Sequence, residues 1–282
     1  MNLSNSSFFR CIASICCSFQ GLAYAADYWI TEGKLGSWVF LYTPFGEVGS
    51  SLVSSICSVL CVLAAMIFVG MAFYRQSDLG AKTFGFLFFA TVILVSISAI
   101  EAAFAFRLGG SFGASYSVPA HAVRYFMPIF TWFIWVTPVA GNTLLFWARA
   151  AAGLTFVAHG LEAIAGHPEF VDYILMVFRK VGFNITESSA RTFLTIIGYL
   201  DLVLGVMAVT LPIRFIFLWM AFWGLLTAFV RVVFYDVWGI EPFFVRTANW
   251  ALPLLLFYYF RHYTVWSVVK FPAIIQNNGV RS

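Results

Sequence analysis

The stretch from Ser51 to Tyr74 reads SLVSSICSVLCVLAAMIFVGMAFY and decides the fold of this chain. Its 24 residues include no acidic or basic side chain. A helix crosses the hydrocarbon core of a membrane with about 20 mainly apolar residues, because each residue advances about 1.5 Å along the axis. The stretch therefore predicts a transmembrane helix.

Six further apolar stretches follow it along the chain. Together they predict an all-α polytopic membrane protein with about seven transmembrane helices. The predicted spans are Ser51–Tyr74, Thr83–Phe106, Tyr125–Gly141, Thr143–Gly166, Ser189–Leu211, Phe215–Tyr235 and Phe243–Phe260. The third span is short and contains Pro128 and Pro138, so a broken or re-entrant segment is an alternative there.

The composition excludes several classes of protein. Of the 282 residues, 62% are apolar and 10% are charged, and the formal net charge is +4. A soluble domain carries about 25% charged residues. The chain is therefore not a cytosolic enzyme, a disordered chain or a nucleic-acid-binding protein. Membrane lipid is the expected partner, and no nucleic-acid partner is expected.

The first 25 residues have the pattern of a secretory signal. Arg10 is the only charged residue among them, and the apolar run Cys11–Ala25 follows it. Ala23 and Ala25 are small residues at the two positions that a signal peptidase requires. We predict a signal peptide cleaved after Ala25, with an uncleaved first helix as the alternative.

Loop charges orient the predicted spans. With a cleaved signal the mature N-terminus lies outside, so the first loop after Ser51–Tyr74 lies inside. The basic residues that then fall inside are Arg75, Lys82, Arg214, Arg261, Lys270 and Arg281. The acidic residues that fall outside are Asp27, Glu32, Glu47, Glu169, Asp172, Glu187, Asp236 and Glu241. This pattern follows the positive-inside rule, apart from Arg179 and Lys180. It predicts a multi-pass protein of a bacterial inner (plasma) membrane with a cytoplasmic C-terminus.

One loop carries an amphipathic segment. Residues 168–182 contain Phe170, Tyr173, Ile174, Val177 and Phe178 at helical spacing on one face. Such a segment is typical of a helix that lies in the membrane interface.

Ionisable residues inside the predicted spans are the best indication of a site. Each costs roughly 2.5–3.5 kcal/mol at the centre of a membrane helix and usually faces the protein interior. In the predicted topology most of them lie in the outer half of the bilayer, and Arg149 alone lies near the inner face. The predicted polar pocket comprises His159, Glu162, Asp201, Arg231, Arg246, Asn249 and Glu101.

Four interpretations of these residues remain open. A di-iron site needs two Glu-x-x-His pairs and two further carboxylates, whereas His159 and Glu162 form one pair in reverse order. Haem needs two facing histidines, but His121 and His167 lie in or near loops and His262 lies at the opposite face. Both are therefore disfavoured, and no metal site is predicted.

The other two interpretations use the same side chains differently. In one, the pocket binds a quinone or a lipid head group: His159 hydrogen-bonds a carbonyl, and Arg231 or Arg246 supplies charge. In the other, the polar residues form a buried network that locks the helices together. Quinone is the candidate cofactor.

The second half of the chain resembles a known family. Arg149–Gly166 reads RAAAGLTFVAHGLEAIAG, and Gly198–Gly205 reads GYLDLVLG. These residues are similar to the first two helices of the DoxX-like family, which carry an Arg, a Gly four residues on, a Phe and a His-Gly pair, and then an acid followed by Gly. Arg214 matches the basic residue before the third helix. Asn249 and Pro253 fit the fourth helix more loosely.

The resemblance covers about residues 143–262 and departs at one position. Where the family often has Lys four residues after the His, this chain has Ala163. The resemblance implies a four-helix membrane bundle of the kind linked to quinone-coupled sulfur oxidation and oxidative-stress complexes, often as a membrane subunit. The spacing of Gly153, Gly160, Gly198 and Gly205 separately predicts a close approach of two helices.

These features divide the chain and predict its role. The predicted parts are a signal peptide (1–25), an exported segment (26–48), a three-span region (49–142), a DoxX-like four-helix bundle (143–262) and a cytoplasmic tail (263–282). The predicted function is a membrane subunit of a quinone-linked redox system, working with a redox partner subunit. The alternative is a non-enzymatic membrane scaffold or a small-solute permease.

Overall fold

The computed structural model describes residues 7–74, 80–108, 116–137 and 141–260. Within these ranges every regular element is a helix. In chain order the α-helices are α1 (Ser7–Thr31), α2 (Gly33–Tyr42), α3 (Gly46–Ala72), α4 (Ala81–Leu108), α5 (Ser117–Ala120), α6 (Ala122–Val136), α7 (Asn142–Ile164), α8 (Pro168–Lys180), α9 (Glu187–Thr210), α10 (Arg214–Tyr235), α11 (Ile240–Val245) and α12 (Thr247–Phe260). A short 3-10 turn, Asp236–Gly239, joins α10 to α11.

The lengths of these helices fit a polytopic membrane protein. Six described segments are long and apolar enough to cross a bilayer: Ser7–Tyr42, Gly46–Ala72, Ala81–Leu108, Asn142–Ile164, Glu187–Thr210 and Arg214–Val245. The predicted third span is the shorter helix α6, whose 15 residues reach about 22 Å. Pro128 lies inside α6 without ending it, and Pro138 lies outside the described residues. The number of seven spans therefore stays a prediction.

Helix α1 contains the segment that the sequence predicts to be a signal peptide or an uncleaved first helix. It packs against α3, α6, α11 and α12 near the centre of the bundle. Tyr24 and Tyr28 are among the largest fully buried side chains of the described structure, and Ala25, at the predicted cleavage site, is also buried. The segment predicted to be a signal peptide thus lies in the core. Residues 26–48, predicted as an exported segment, continue into the end of α1 and into α2.

One face of α3 carries a serine on three successive turns, and these serines bind the N-terminal segment. Ser58 Oγ donates to the Ala25 carbonyl oxygen at 2.9 Å, and Ser54 Oγ donates to the Glu32 carbonyl oxygen at 2.9 Å. Ser50 Oγ donates to the Gly36 carbonyl oxygen at 2.9 Å. Small side chains with a single hydroxyl allow both close approach and hydrogen bonding between membrane helices.

Helices α7 and α9 meet along the four glycines of the predicted close approach. A Cβ atom placed on Gly160 would lie 2.7 Å from the Gly198 carbonyl oxygen, and one on Gly153 would lie 2.5 Å from the Gly205 carbonyl oxygen. Neither distance leaves room for a side chain. The predicted close approach is therefore confirmed, and we call this contact the glycine seam.

Arg149 of α7 binds the C-terminal end of α9. Its Nε atom donates to the Ala208 carbonyl oxygen at 2.9 Å, in the last turn of α9. The carbonyl groups of a last helical turn have no partner within the helix and carry partial negative charge. The guanidinium group therefore satisfies and neutralises the end of α9.

Several predicted topological features lie outside the described residues. These are the loop residue Arg75, the residues His262, Arg261, Lys270 and Arg281, and the cytoplasmic tail 263–282.

Candidate functional site

A cavity of about 270 Å³ lies between α7, α8, α9, α10 and the start of α12. Most of its wall is apolar. Ligand pockets typically enclose about 300–1,000 Å³ and combine apolar walls with a few polar groups. The volume is therefore close to that of a site for one small head group.

Five of the seven predicted pocket residues line this cavity. They come from α7, α9, α10 and both sides of the start of α12, and they are His159, Asp201, Arg231, Arg246 and Asn249. Side chains far apart in the chain thus meet in one space.

The sixth residue, Glu162, lies next to the cavity. Its Oε2 atom is 2.8 Å from Nδ1 of His159, and the two side chains are 8% and 29% exposed. The pair therefore links a partly exposed ring to a buried carboxylate. Across the described ranges no third His, Cys, Asp or Glu joins this pair in a cluster that could hold a metal ion.

The seventh residue, Glu101, belongs to a different part of the molecule. Its carboxylate oxygens accept the Lys34 backbone N–H at 3.1 and 3.2 Å, where α2 begins. Glu32 and Gly33 both have positive φ angles at the break between α1 and α2. Glu101 therefore satisfies a helix N-terminus exposed by this break, and it does not line the cavity.

Asp201 is the most deeply buried acid of the cavity, at 5% exposure. Trp223 donates its indole N–H to Oδ2 of Asp201 at 3.2 Å. Within the described part of the chain, Oδ1 of Asp201 and Oδ1 of Asn249 are buried without a hydrogen-bond partner. Buried polar atoms are usually paired, so these two oxygens indicate a missing donor.

Two arginines line the cavity without a carboxylate in direct ion-pair contact. Arg231 donates to the Thr227 carbonyl oxygen at 2.8 Å, and Arg246 donates to the Pro242 carbonyl oxygen at 2.9 Å. Neither guanidinium has a carboxylate within 4.0 Å among the described residues. The two groups are close enough to influence each other electrostatically. A ligand oxygen that accepts hydrogen bonds would find two charged donors here.

Helix α8 forms one wall of the cavity. The face predicted from its sequence, with Phe170, Tyr173, Ile174, Val177 and Phe178, lines this space. The prediction that these five residues share one face of α8 is therefore confirmed, and this face borders the cavity. The ring of Tyr173 also lies beneath Arg231, with the guanidinium carbon 5.1 Å from the ring centre.

Both ends of α8 are tied to the end of α10. At the first turn, Glu169 accepts hydrogen bonds from Tyr173 and, at 3.1 Å, from Tyr235. Burial alone would raise the pKa of Glu169, but these hydrogen bonds and the nearby arginine charges hold the pKa below its ordinary value. At the other end, Lys180 Nζ lies 3.5 Å from Oδ1 of Asp236.

Two members of this site are absent from the sequence-based prediction. Trp223 orients Asp201, and Thr227 provides the backbone carbonyl that accepts from Arg231. Neither has a distinctive sequence signal, because the apolar runs of this chain are rich in aromatic residues and every residue carries a backbone carbonyl. Tyr173 lies on the predicted face of α8, but its contact with Arg231 is not predicted.

Comparison of the chain with protein-family models, with curated proteins and with solved structures finds no match.

Proposed function

We propose that this chain is a DoxX-like protein of a bacterial inner membrane that binds the head group of a quinone in the cavity, as the membrane subunit of a quinone-linked redox system. The observation that carries the proposal is the cavity itself. It joins apolar walls to the buried Arg231 and the partly buried Arg246, neither of which has a carboxylate within 4.0 Å among the described residues, and to His159, Asp201 and Asn249. A quinone has the matching chemistry: an apolar ring and tail, and two oxygens that accept hydrogen bonds.

Each polar residue has a role in this proposal. His159 polarises one carbonyl oxygen of the quinone, and Arg231 or Arg246 stabilises negative charge that develops on reduction. Reduction of a quinone to a quinol takes two electrons and two protons. A partner redox subunit supplies the electrons. In this proposal the two protons reach the cavity through the His159–Glu162 pair, in which the ring of His159 is partly exposed.

The predicted orientation supports access from the outer side. In that orientation the acidic loops lie outside, and the cavity lies in the outer half of the bilayer. The four helices α7, α9, α10 and α12 correspond to the DoxX-like bundle of residues 143–262. Their arrangement around one cavity is compatible with that family, although Ala163 stands where the family often has Lys.

The first test is whether the purified protein retains a quinone. We expect organic extraction to release quinone, and the visible spectrum to show no haem band. We expect Arg231→Gln to weaken binding of added decylubiquinone about tenfold or more, because a charge-assisted hydrogen bond contributes about 1.5–3 kcal/mol. His159→Ala is expected to weaken it as well.

The matched control is Arg191→Gln. Arg191 pairs with Glu187 on the surface, where both side chains are at least half exposed. The Arg191→Gln variant loses the same charge as Arg231→Gln but keeps the cavity intact, so its affinity for decylubiquinone should stay within a factor of two of that of the unaltered protein. A protein that neither retains quinone nor responds to Arg231→Gln and His159→Ala contradicts the proposal.

The second candidate function is a membrane scaffold or a small-solute permease. One observation favours it: two of the buried polar residues already have a partner within the protein, since Arg231 donates to the Thr227 carbonyl oxygen and Asp201 accepts from Trp223. Such bonds fix helix packing without any ligand. Solute uptake that depends on Asp201 but not on quinone would select this candidate.

A further inference from the structure

Two acceptor atoms in the lining of the cavity lack a hydrogen-bond donor among the described residues. Oδ1 of Asp201 and Oδ1 of Asn249 both belong to lining residues and are buried without a donor among the residues that the structure describes. Asp201 and Asn249 are 5% and 7% exposed, so bulk water does not reach them freely. A ligand that donates hydrogen bonds to these oxygens removes the cost of leaving them unpaired.

The two redox forms of a quinone differ in this property. Both carbonyl oxygens of the oxidised form accept hydrogen bonds and donate none. The reduced form, the quinol, carries two O–H groups, each of which donates one hydrogen bond and still accepts others. Near Asp201 a quinone oxygen adds a third acceptor, whereas a quinol hydroxyl supplies the missing donor.

The two arginines of the cavity do not distinguish the quinone from the quinol. Arg231 and Arg246 are donors, and the oxygens of both forms accept hydrogen bonds from them. Discrimination therefore falls to Asp201 and Asn249.

We propose that the cavity binds the quinol form more tightly than the quinone form, with Asp201 and Asn249 as the residues that select it. This inference rests on the proposed function, because it requires that the cavity takes a quinone-type head group. Preferential binding of the reduced form also raises the midpoint potential of the bound couple. For a two-electron couple, a tenfold preference corresponds to about 30 mV.

The test compares both forms on the unaltered protein. Full-length protein in quinone-free phospholipid nanodiscs is titrated anaerobically with decylubiquinone and, separately, with its borohydride-reduced quinol. Quenching of tryptophan fluorescence reports binding, since Trp223 lines the cavity. We expect the Kd of the quinol to be about tenfold lower, which is equivalent to about 1.4 kcal/mol.

Variants then locate the preference. Asp201→Asn keeps the size of the side chain and replaces one acceptor by a donor, so the Kd ratio should fall to about one, mainly through tighter quinone binding. The matched control is Asp236→Asn, whose side chain is 81% exposed and does not line the cavity. It should retain the tenfold ratio. If Asp201→Asn does not fold, Asn249→Leu removes the other acceptor and should lower the ratio in the same direction.

The outcomes separate the two proposals. Equal affinities, or tighter binding of the quinone, would overturn the quinol preference and leave the proposed function standing. An Asp201→Asn variant with an unchanged ratio would overturn the assignment to Asp201. If neither form binds, the proposed function fails, and the preference fails with it.

Discussion

Gly198→Val is expected to prevent accumulation of folded protein almost completely. A Cβ atom at this position would lie 2.7 Å from the Gly160 carbonyl oxygen and 2.8 Å from Cγ1 of Ile164. The nearest atom is backbone, so no side-chain rotation relieves the clash, and α7 and α9 must separate. Inserting bulk into a packed core typically costs 1–3 kcal/mol. We expect at least about 3 kcal/mol here, because a β-branched side chain meets backbone. The measurement is the yield and thermal stability of detergent-solubilised protein by size-exclusion chromatography.

The matched control is Gly70→Val in α3. Gly70 is also a helical glycine, but nothing lies within 4 Å of a Cβ atom placed on it. Replacing glycine by valine changes the helix propensity equally at Gly70 and at Gly198, so the two variants differ only in contact with a neighbouring helix. Gly70→Val should yield folded protein at close to the unaltered level. If the Gly198 and Gly70 variants behave alike, the glycine seam does not hold α7 and α9 together.

Removal of the N-terminal helix is the second change with a large expected effect. A chain delivered to the membrane by an unrelated cleavable signal, so that its mature form begins at Ala26, is expected to accumulate at least about tenfold less folded protein. It would lose most of α1, including the buried Tyr24. It would also lose Gln20, whose Nε2 atom donates to Ser98 Oγ at 3.1 Å and to the Arg124 carbonyl oxygen at 3.0 Å. Packing and interhelical hydrogen bonds are the interactions that hold membrane helices together.

Point variants test the same helix without changing delivery to the membrane. Gln20→Ala removes two buried hydrogen bonds and should destabilise the purified protein by about 1–2 kcal/mol. Leu22→Ala changes a half-exposed residue two positions on and should have little effect. The intact mass of the purified protein shows whether these residues are present. If the mature chain begins at Ala26, and the Gln20→Ala and Leu22→Ala proteins are equally stable, the signal peptide predicted from the sequence is supported. The packing of α1 in the core would then not stabilise the mature protein.

Five of the seven residues that the sequence places at one predicted depth of the membrane line one cavity, whereas Glu101 does not. Hydropathy places a residue along the membrane normal, and that depth was enough to associate His159 with Asp201 and Arg231. It carries no information about position around the bundle. Depth alone therefore places Glu101 in the same pocket, whereas its carboxylate in fact contacts the start of α2.

The same limit explains the N-terminal prediction. A signal peptide and a tightly packed helix both favour small residues, for different reasons. Ala23 and Ala25 match a cleavage site, and both are buried in the structure. The face of α8 was predicted correctly because five apolar residues at helical spacing define it. What this face contacts could not be predicted, because the same apolar side chains suit a helix that borders a cavity and a helix that lies on a membrane surface.

The glycine seam has a consequence for how ligand specificity can change. Asp201 lies directly against the seam, since its Cβ would be 3.3 Å from a Cβ at Gly160, and His159 is the neighbour of Gly160. Contact between two backbones fixes the spacing of these two polar groups. Helix α8, by contrast, faces the same space with aromatic and aliphatic side chains of adjustable size. Under the proposed function, substitutions among the aliphatic residues of α8 should change which quinone tails fit while Asp201 and His159 keep their spacing, so that recognition of size and recognition of polarity can evolve independently.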